Sequence, residues 1–327
     1  MLHSQSFVSR SDLRKVTKWL LGYLLLGCIP RTYDRTVFDK LSKLRLARSS
    51  QRIDIDHDLL AIRMKAVLGD GLSADDIHRM IVAAKTIALE NRWACWRASH
   101  TAEWDVRTEV KGLKYATTAL DRGHGIVFWG MTFCGTLFPK IALARASIPL
   151  TQLSSTSHGQ PSYPSTPFGR TFVAPAYCLS ENRYLQDRIY IPDNGDTSYL
   201  RTIGRLLRSN GCIWIASDTS RAKKPICVDM LGRPASFPQG APVLALRHKS
   251  PLIPAYTERL GPFHYRVTLA SPIEFDETLS RAEGIEQAVQ TFATLLGEQV
   301  TRQPSAYGWI CPWVHDYVNR SDRGVIV

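Results

Sequence analysis

The chain has 327 residues, 44% of them hydrophobic and 21% charged, a globular composition that excludes a disordered chain. Its 41 Lys and Arg against 29 Asp and Glu give a formal charge of +12, which points to anionic partners: a membrane surface, an acidic carrier protein or nucleic acid. No zinc-finger spacing, helix-turn-helix pattern or RNA-recognition aromatic motif accompanies that charge, so nucleic acid is set aside.

Near the N-terminus, KVTKWLLGYLLLGCIPR places about a dozen largely apolar residues between Lys18 and Arg31. A bilayer span needs about 20 such residues, and no small-residue cleavage site follows, so neither a spanning helix nor a signal peptide is expected. Two readings stay open: an interfacial helix with basic flanks (Arg10, Arg14, Lys15, Lys18, Arg31, Arg35), or a helix packed on the domain. Helices are predicted over 11–28, 36–49, 57–68 and 74–98, the last opened by Ser73 with Asp75 and Asp76 in its first turn. No Gly/Ser-rich linker follows them, so residues 1–105 read as a helical extension of the main domain.

From residue 110 short β-rich runs alternate with helical ones, the pattern of a βαβ arrangement. Strands are predicted over 125–129, 148–153, 188–191, 212–217, 226–231, 251–257 and 265–270, and helices over 111–122, 133–145, 197–209, 241–248 and 284–302. The expected fold class is α/β, a mixed central sheet flanked by helices, occupying residues 106–327. Between its second and third strands, SSTSHGQPSYPSTPFGRTF has no periodicity, and a loop of that length is usually a lid, a binding loop or disordered. The seven cysteines are odd in number and form no C-x-x-C pair, so a reduced protein without disulfides or structural zinc is expected, with most thiols as small core residues.

Three segments carry a likeness. GLKYATTALDRGHGIVFWGMTFCG (112–135), LLRSNGCIWIASDTSRAKKPICVDMLGRPASFPQGAPVLALRHKSPLIPAY (206–256) and QPSAYGWICPWVH (303–315) stand in this order along the chain. Together they resemble the lysophospholipid acyltransferase superfamily in its lipid A (lauroyl/myristoyl) acyltransferase branch, and the apolar N-terminus is similar to that family's membrane-associated start. The resemblance implies the glycerolipid-acyltransferase type of α/β sandwich. It also implies transfer of a fatty acyl group from acyl carrier protein or coenzyme A to a lipid or glycolipid hydroxyl, at the cytoplasmic face of the inner membrane, peripheral or N-terminally anchored, or in the cytoplasm. The thioester is a co-substrate, and no bound cofactor or metal is implied. In such a site a histidine acts as general base on the acceptor hydroxyl, oriented by an acid five positions later, and no covalent enzyme intermediate is required.

This chain departs from that pattern. GMTFCGTL puts Thr132 at the histidine position and Leu137 at the acid position, keeps Phe133, and replaces glycine and asparagine by Cys134 and Gly135. A threonine hydroxyl does not accept a proton near neutral pH, so a replacement is sought. His100 and Asp105 in HTAEWD repeat the dyad spacing, but they precede the first family strand. His124 reads as a solvated turn residue, whereas His158 lies in the long Ser/Pro loop and is a candidate loop-borne base. Cys134 is a candidate nucleophile near a helix start, with core packing as the plainer reading. Asp218 ends the strand CIWIASD, at the strand end where ligands of open α/β sheets collect, with a loop-holding role as the equal alternative. Arg221, Lys223 and Lys224 follow as a phosphate-facing or solvated run. Arg233 is a candidate partner for a headgroup or phosphopantetheine phosphate; Gly232 and Gly240 are implied binding positions, and with Pro234 and Pro254 they also read as architecture. The reading left is an acyltransferase with a non-standard site, acting on a hydroxyl or an already nucleophilic amine. Its alternative is an inactive relative that binds acyl chains, carrier protein or membrane.

Overall fold

A computed structural model describes residues 10–30, 32, 34–49, 55–69, 71–156, 158, 166–216, 224–308 and 314. Four helices come first: α1 (Arg10–Cys28), α2 (Asp34–Ser49), α3 (Ile55–Leu68) and α4 (Ala74–His100). The Ser73 side chain accepts from the Asp76 amide while Asp76 accepts from the Ser73 backbone, a capping box that fixes where α4 begins.

α1 docks on α4 by its small face. A Cβ on Gly22 would lie 2.3 Å from the Trp96 indole, so only glycine allows this approach. Arg97, itself buried, donates to the carbonyls of Leu26 and Ile29, each at 3.0 Å, satisfying the free end of α1, and pairs with the buried Asp34 of α2. The opposite face of α1 is open: Leu13, Leu20, Leu21, Leu24 and Leu25 are all exposed. The side chains of Arg10, Arg14, Lys15 and Lys18, and Arg31 altogether, lie outside the described residues.

Seven strands build the central sheet: β1 (Arg107–Lys111), β2 (Ile126–Gly130), β3 (Leu150–Ser155), β4 (Asp187–Ile191), β5 (Cys212–Ala216), β8 (Leu252–Gly261) and β9 (His264–Leu269). Their order is β1-β9-β8-β2-β5-β3-β4, parallel throughout except for the antiparallel β8–β9 pair. IVFWG and CIWIA are apolar runs without alternation because β2 and β5 are covered on both faces. On one face Ile126, Phe128 and Trp214 pack with α5 (Leu113–Asp121) and part of α6 (Leu137–Arg145). Facing the other way, Val127, Trp129, Ile213 and Ile215 meet α8 (Ser198–Arg208), α9 (Gly240–His248) and α10 (Arg281–Arg302), with Trp129 stacked on Phe292 at 3.9 Å. β6 (Pro225–Met230) and β7 (Arg233–Pro238) form a separate hairpin on α10, and a π-helical turn (Gly169–Val173) leads into α7 (Ala174–Asn182).

The mixed α/β class agrees with the sequence. Three elements were not foreseen there: β1, β7 and α7. Pro254 lies inside β8, opposite Trp129 of β2.

Candidate active site

The carboxyl ends of β2, β5 and β3 lie side by side, as the crevice rule for open α/β sheets requires of a site. From β2 the chain enters a tight turn in which Cys134 (φ +57°) and Gly135 (φ +85°) are both left-handed. A Cβ on Gly135 would lie 2.5 Å from Asn91 of α4, so the turn is pressed against that helix. The C-terminal segment closes its other side: Gly308 donates to the Thr132 carbonyl at 3.0 Å, the Cys134 amide donates to Ala306 at 2.7 Å, and the Phe133 and Tyr307 rings are 5.0 Å apart. The first and third of the three sequence segments therefore meet here.

This geometry separates the candidates. Thr132 is half-buried, with its methyl against Gly308, at the end of β2. Leu137 is a core residue at the start of α6, 1% exposed, and no acid occupies its position. Cys134 is equally buried; its thiol points at the Thr257 carbonyl (3.7 Å), and burial, with Glu90 beside it, pushes that thiol above the usual range. A protonated, enclosed thiol is a poor nucleophile, so the packing reading fits Cys134 and the nucleophile reading does not. His100 and Asp105 do not meet as a dyad. His100 stacks on Tyr23 at 3.7 Å and donates to its carbonyl, whereas Asp105 pairs with Arg35. His124 is exposed in the turn before β2, its carbonyl accepting from Ser250.

Asp218, Arg221 and Lys223 lie outside the described residues. Arg233 donates to the Ala66 carbonyl of α3 at 3.1 Å, tying the hairpin to the helical region. Gly232 (φ +75°) follows Leu231 (φ +53°) in the two-residue loop joining β6 to β7, a turn that demands left-handed backbone at both positions. Gly240 is the first residue of α9.

The polar cluster at these strand ends is one that sequence reasoning missed. Glu181 of α7 is 1% exposed, and four groups from four different parts of the chain converge on it. Thr136, in the turn after β2, donates to Oε1 at 2.6 Å; Lys140 of α6 places Nζ 2.6 Å from the same oxygen; Arg188 of β4 donates to Oε2 at 2.7 Å; and His158, beyond β3, sets Nε2 2.8 Å from Oε2. Burial alone would raise the Glu181 carboxyl, but Lys140, His158 and Arg188 outweigh it and hold the group well below the usual carboxylate range. Lys140 is just as buried, and the loss of water pushes its ammonium down from its ordinary value. Arg188 also donates to Ser154 (2.6 Å) and Asn182 (3.0 Å), so its fork is fully used. One signal in the sequence pointed this way: LFPKIALAR carries a lysine on a helix otherwise apolar in its first turns, and a buried ammonium demands a buried carboxylate.

Among the described residues no group of His, Cys, Asp and Glu has the arrangement of a metal site. The family described as bacterial lipid A biosynthesis acyltransferase matches residues 181–313, a span that opens at Glu181 and takes in β4 to β9 but not the segment 112–135. No curated protein matches the chain. Among solved structures, the chain is similar to the 1-acyl-sn-glycerophosphate (LPA) acyltransferase PlsC from Thermotoga maritima, with 11% identity, 89% of this chain and 97% of that one covered, and a TM-score of 0.39.

Proposed function

We propose that this chain is an acyltransferase, supported by the likeness of residues 181–313 to the lipid A biosynthesis acyltransferase family, and that it works at an anionic membrane surface with a site that lacks the family's histidine and acid. In this reading it moves a fatty acyl group from a thioester, acyl carrier protein or acyl-coenzyme A, to a hydroxyl or amine of a lipid or glycolipid. Its place of action is the cytoplasmic face of the inner membrane.

The observation that carries the membrane part is the position of the leucine face of α1. α1 packs against the π-helical turn, where Phe172 is 57% exposed, and that turn runs directly into α7 and Glu181. An apolar surface thus borders the polar crevice, the arrangement needed to bring an acyl lipid to a reacting group. No helix of the described residues is long and apolar enough to cross a membrane, so the attachment proposed is peripheral. Fully burying one leucine contributes about 1.5–3 kcal/mol, so the five half-exposed leucines supply several kcal/mol, comparable to a single acyl anchor. The charge of +12 favours anionic lipid in addition.

A second reading, binding without turnover, is favoured by Thr132 and Leu137 where the family pattern has its dyad. The two are separated by incubating the protein with labelled lauroyl-acyl carrier protein or lauroyl-coenzyme A and phosphatidylglycerol vesicles containing a lysophospholipid. Labelled product above the uncatalysed rate is expected. Vesicle binding without product selects the second reading, and neither binding nor product sinks both. Leu20→Gln with Leu24→Gln is expected to weaken vesicle co-sedimentation by tenfold or more, on the order of two partly lost leucine insertions, while leaving the fold intact.

A further inference from the structure

We infer that His158 is the general base of this site and Glu181 its positioning residue, a dyad assembled from two separate elements; the inference rests on the acyl-transfer reading above. Three observations meet in it. His158 stands just past the end of β3, on the same edge of the sheet as Thr132 past the end of β2, with β5 between them. Two strand spacings amount to about 10 Å, so the two residues flank one crevice. His158 is the only one of the candidate histidines whose ring meets a buried carboxylate, Nε2 lying 2.8 Å from Glu181 Oε2 with 22% of the His158 side chain open to solvent. Third, Thr136 joins the same carboxylate, so the turn that holds Thr132 and the imidazole are fixed to one acid.

The chemistry follows from the charge states. Glu181 is held ionised and accepts only, so Nε2 carries the hydrogen and Nδ1 is left as the basic nitrogen. The acceptor's O–H proton passes to Nδ1 as its oxygen attacks the thioester carbonyl carbon. The new C–O bond forms, the carbonyl electrons move to oxygen, and their return breaks the C–S bond. The departing sulfur takes the proton back from the imidazolium, giving an ester and a free thiol with the histidine restored. Lys140 and Arg188 keep Glu181 from competing for that proton; Tyr177, Tyr190, Cys178 and Cys95 are further titratable groups, among the described residues, that face the cluster.

His158 is the part of the dyad that can be removed without opening the core. With labelled lauroyl-coenzyme A and a lysophospholipid hydroxyl in phosphatidylglycerol vesicles, His158→Ala is expected to lower kcat by about 10²–10⁴-fold with little change in KM. If wild type turns over and His158→Ala stays within threefold of it, the dyad is wrong and the acyl-transfer reading stands. If wild type itself gives no product above background, the underlying reading falls and the dyad with it. Glu181→Gln tests the positioning role by a split between the constants, kcat falling while KM holds. Should it fail to fold, ¹⁵N shifts of the labelled His158 ring in wild type decide: an Nε2–H tautomer supports the dyad, and an Nδ1–H tautomer overturns it.

Discussion

The convergence of four groups on one carboxylate makes a strong prediction about which member of the cluster the fold depends on. Glu181→Gln removes the only negative charge there and leaves Lys140 and Arg188, 1% and 5% exposed, facing each other in the interior. Removing one partner of a buried pair costs about 3–5 kcal/mol, a fifth or more of a typical domain's total of about 5–15 kcal/mol. Lys140→Met is the control. Methionine retains the stem, and Glu181 keeps Thr136, His158 and Arg188, so the loss is expected to stay within about 1 kcal/mol. Combined in one chain, the two changes should cost less than their sum by about 0.5–3 kcal/mol, because the second removes a cation the first had stranded. Urea unfolding followed by circular dichroism at 222 nm measures all four proteins. If Glu181→Gln proves milder than Lys140→Met, or the two effects simply add, Glu181 is not the hub described.

Three further outcomes are expected. Writing the family's dyad back in, as Thr132→His with Leu137→Asp, should not produce an active site. A carboxylate at the 1% exposed position 137 has no buried partner and should lower stability by about 3 kcal/mol or more, visible as a reduced Tm. Burial pushes the Cys212 thiol from 9.0 up to about 12, so its contribution is complete below pH 9 and is lost as pH rises from 9 toward 12. That rise corresponds to about 4 kcal/mol, and Cys212→Ala should lower the slope of that part of the stability–pH curve in urea titrations, Cys95 and Cys134 keeping their own shares. With a free primary amine as acceptor in place of a hydroxyl, His158→Ala should lose less rate, since an amine needs no base to become nucleophilic; equal losses on both acceptors would contradict the role given to Nδ1.

Most of the framework could be read from periodicity. The four N-terminal helices and the strands β2, β3, β4, β5, β6, β8 and β9 carry apolar runs strong enough to place within a few residues. What escaped lacked that signal. β1, RTEVK, is a charged edge strand, and β7, RPASFP, holds two prolines at an exposed hairpin. α7, APAYCLSEN, has no helical repeat and follows the long Ser/Pro stretch. Even in α10 the start was set late, although Ser280 and Glu283 spell a capping box. The candidate site shows the same divide. Thr132 and Leu137 could be singled out because the segment around them resembles a family pattern with which to compare it. The pairing of His158 with Glu181 was not, since 23 residues and a helix separate them, and no local spacing encodes a contact made through the sheet.

The docking of α1 also bears on how the protein can be handled. Because Gly22 seats the Trp96 indole and the Leu26 carbonyl accepts from the Arg97 guanidinium, a shortened form starting after Cys28 would present bare tryptophan on α4 and leave Arg97 one acceptor short, with only Ile29 and Asp34 still on it. Such a truncation, the usual remedy for a sticky membrane-facing helix, should give an insoluble product. Detergent, or polar replacements confined to the outer leucines, should keep the protein in solution with its helical brace in place.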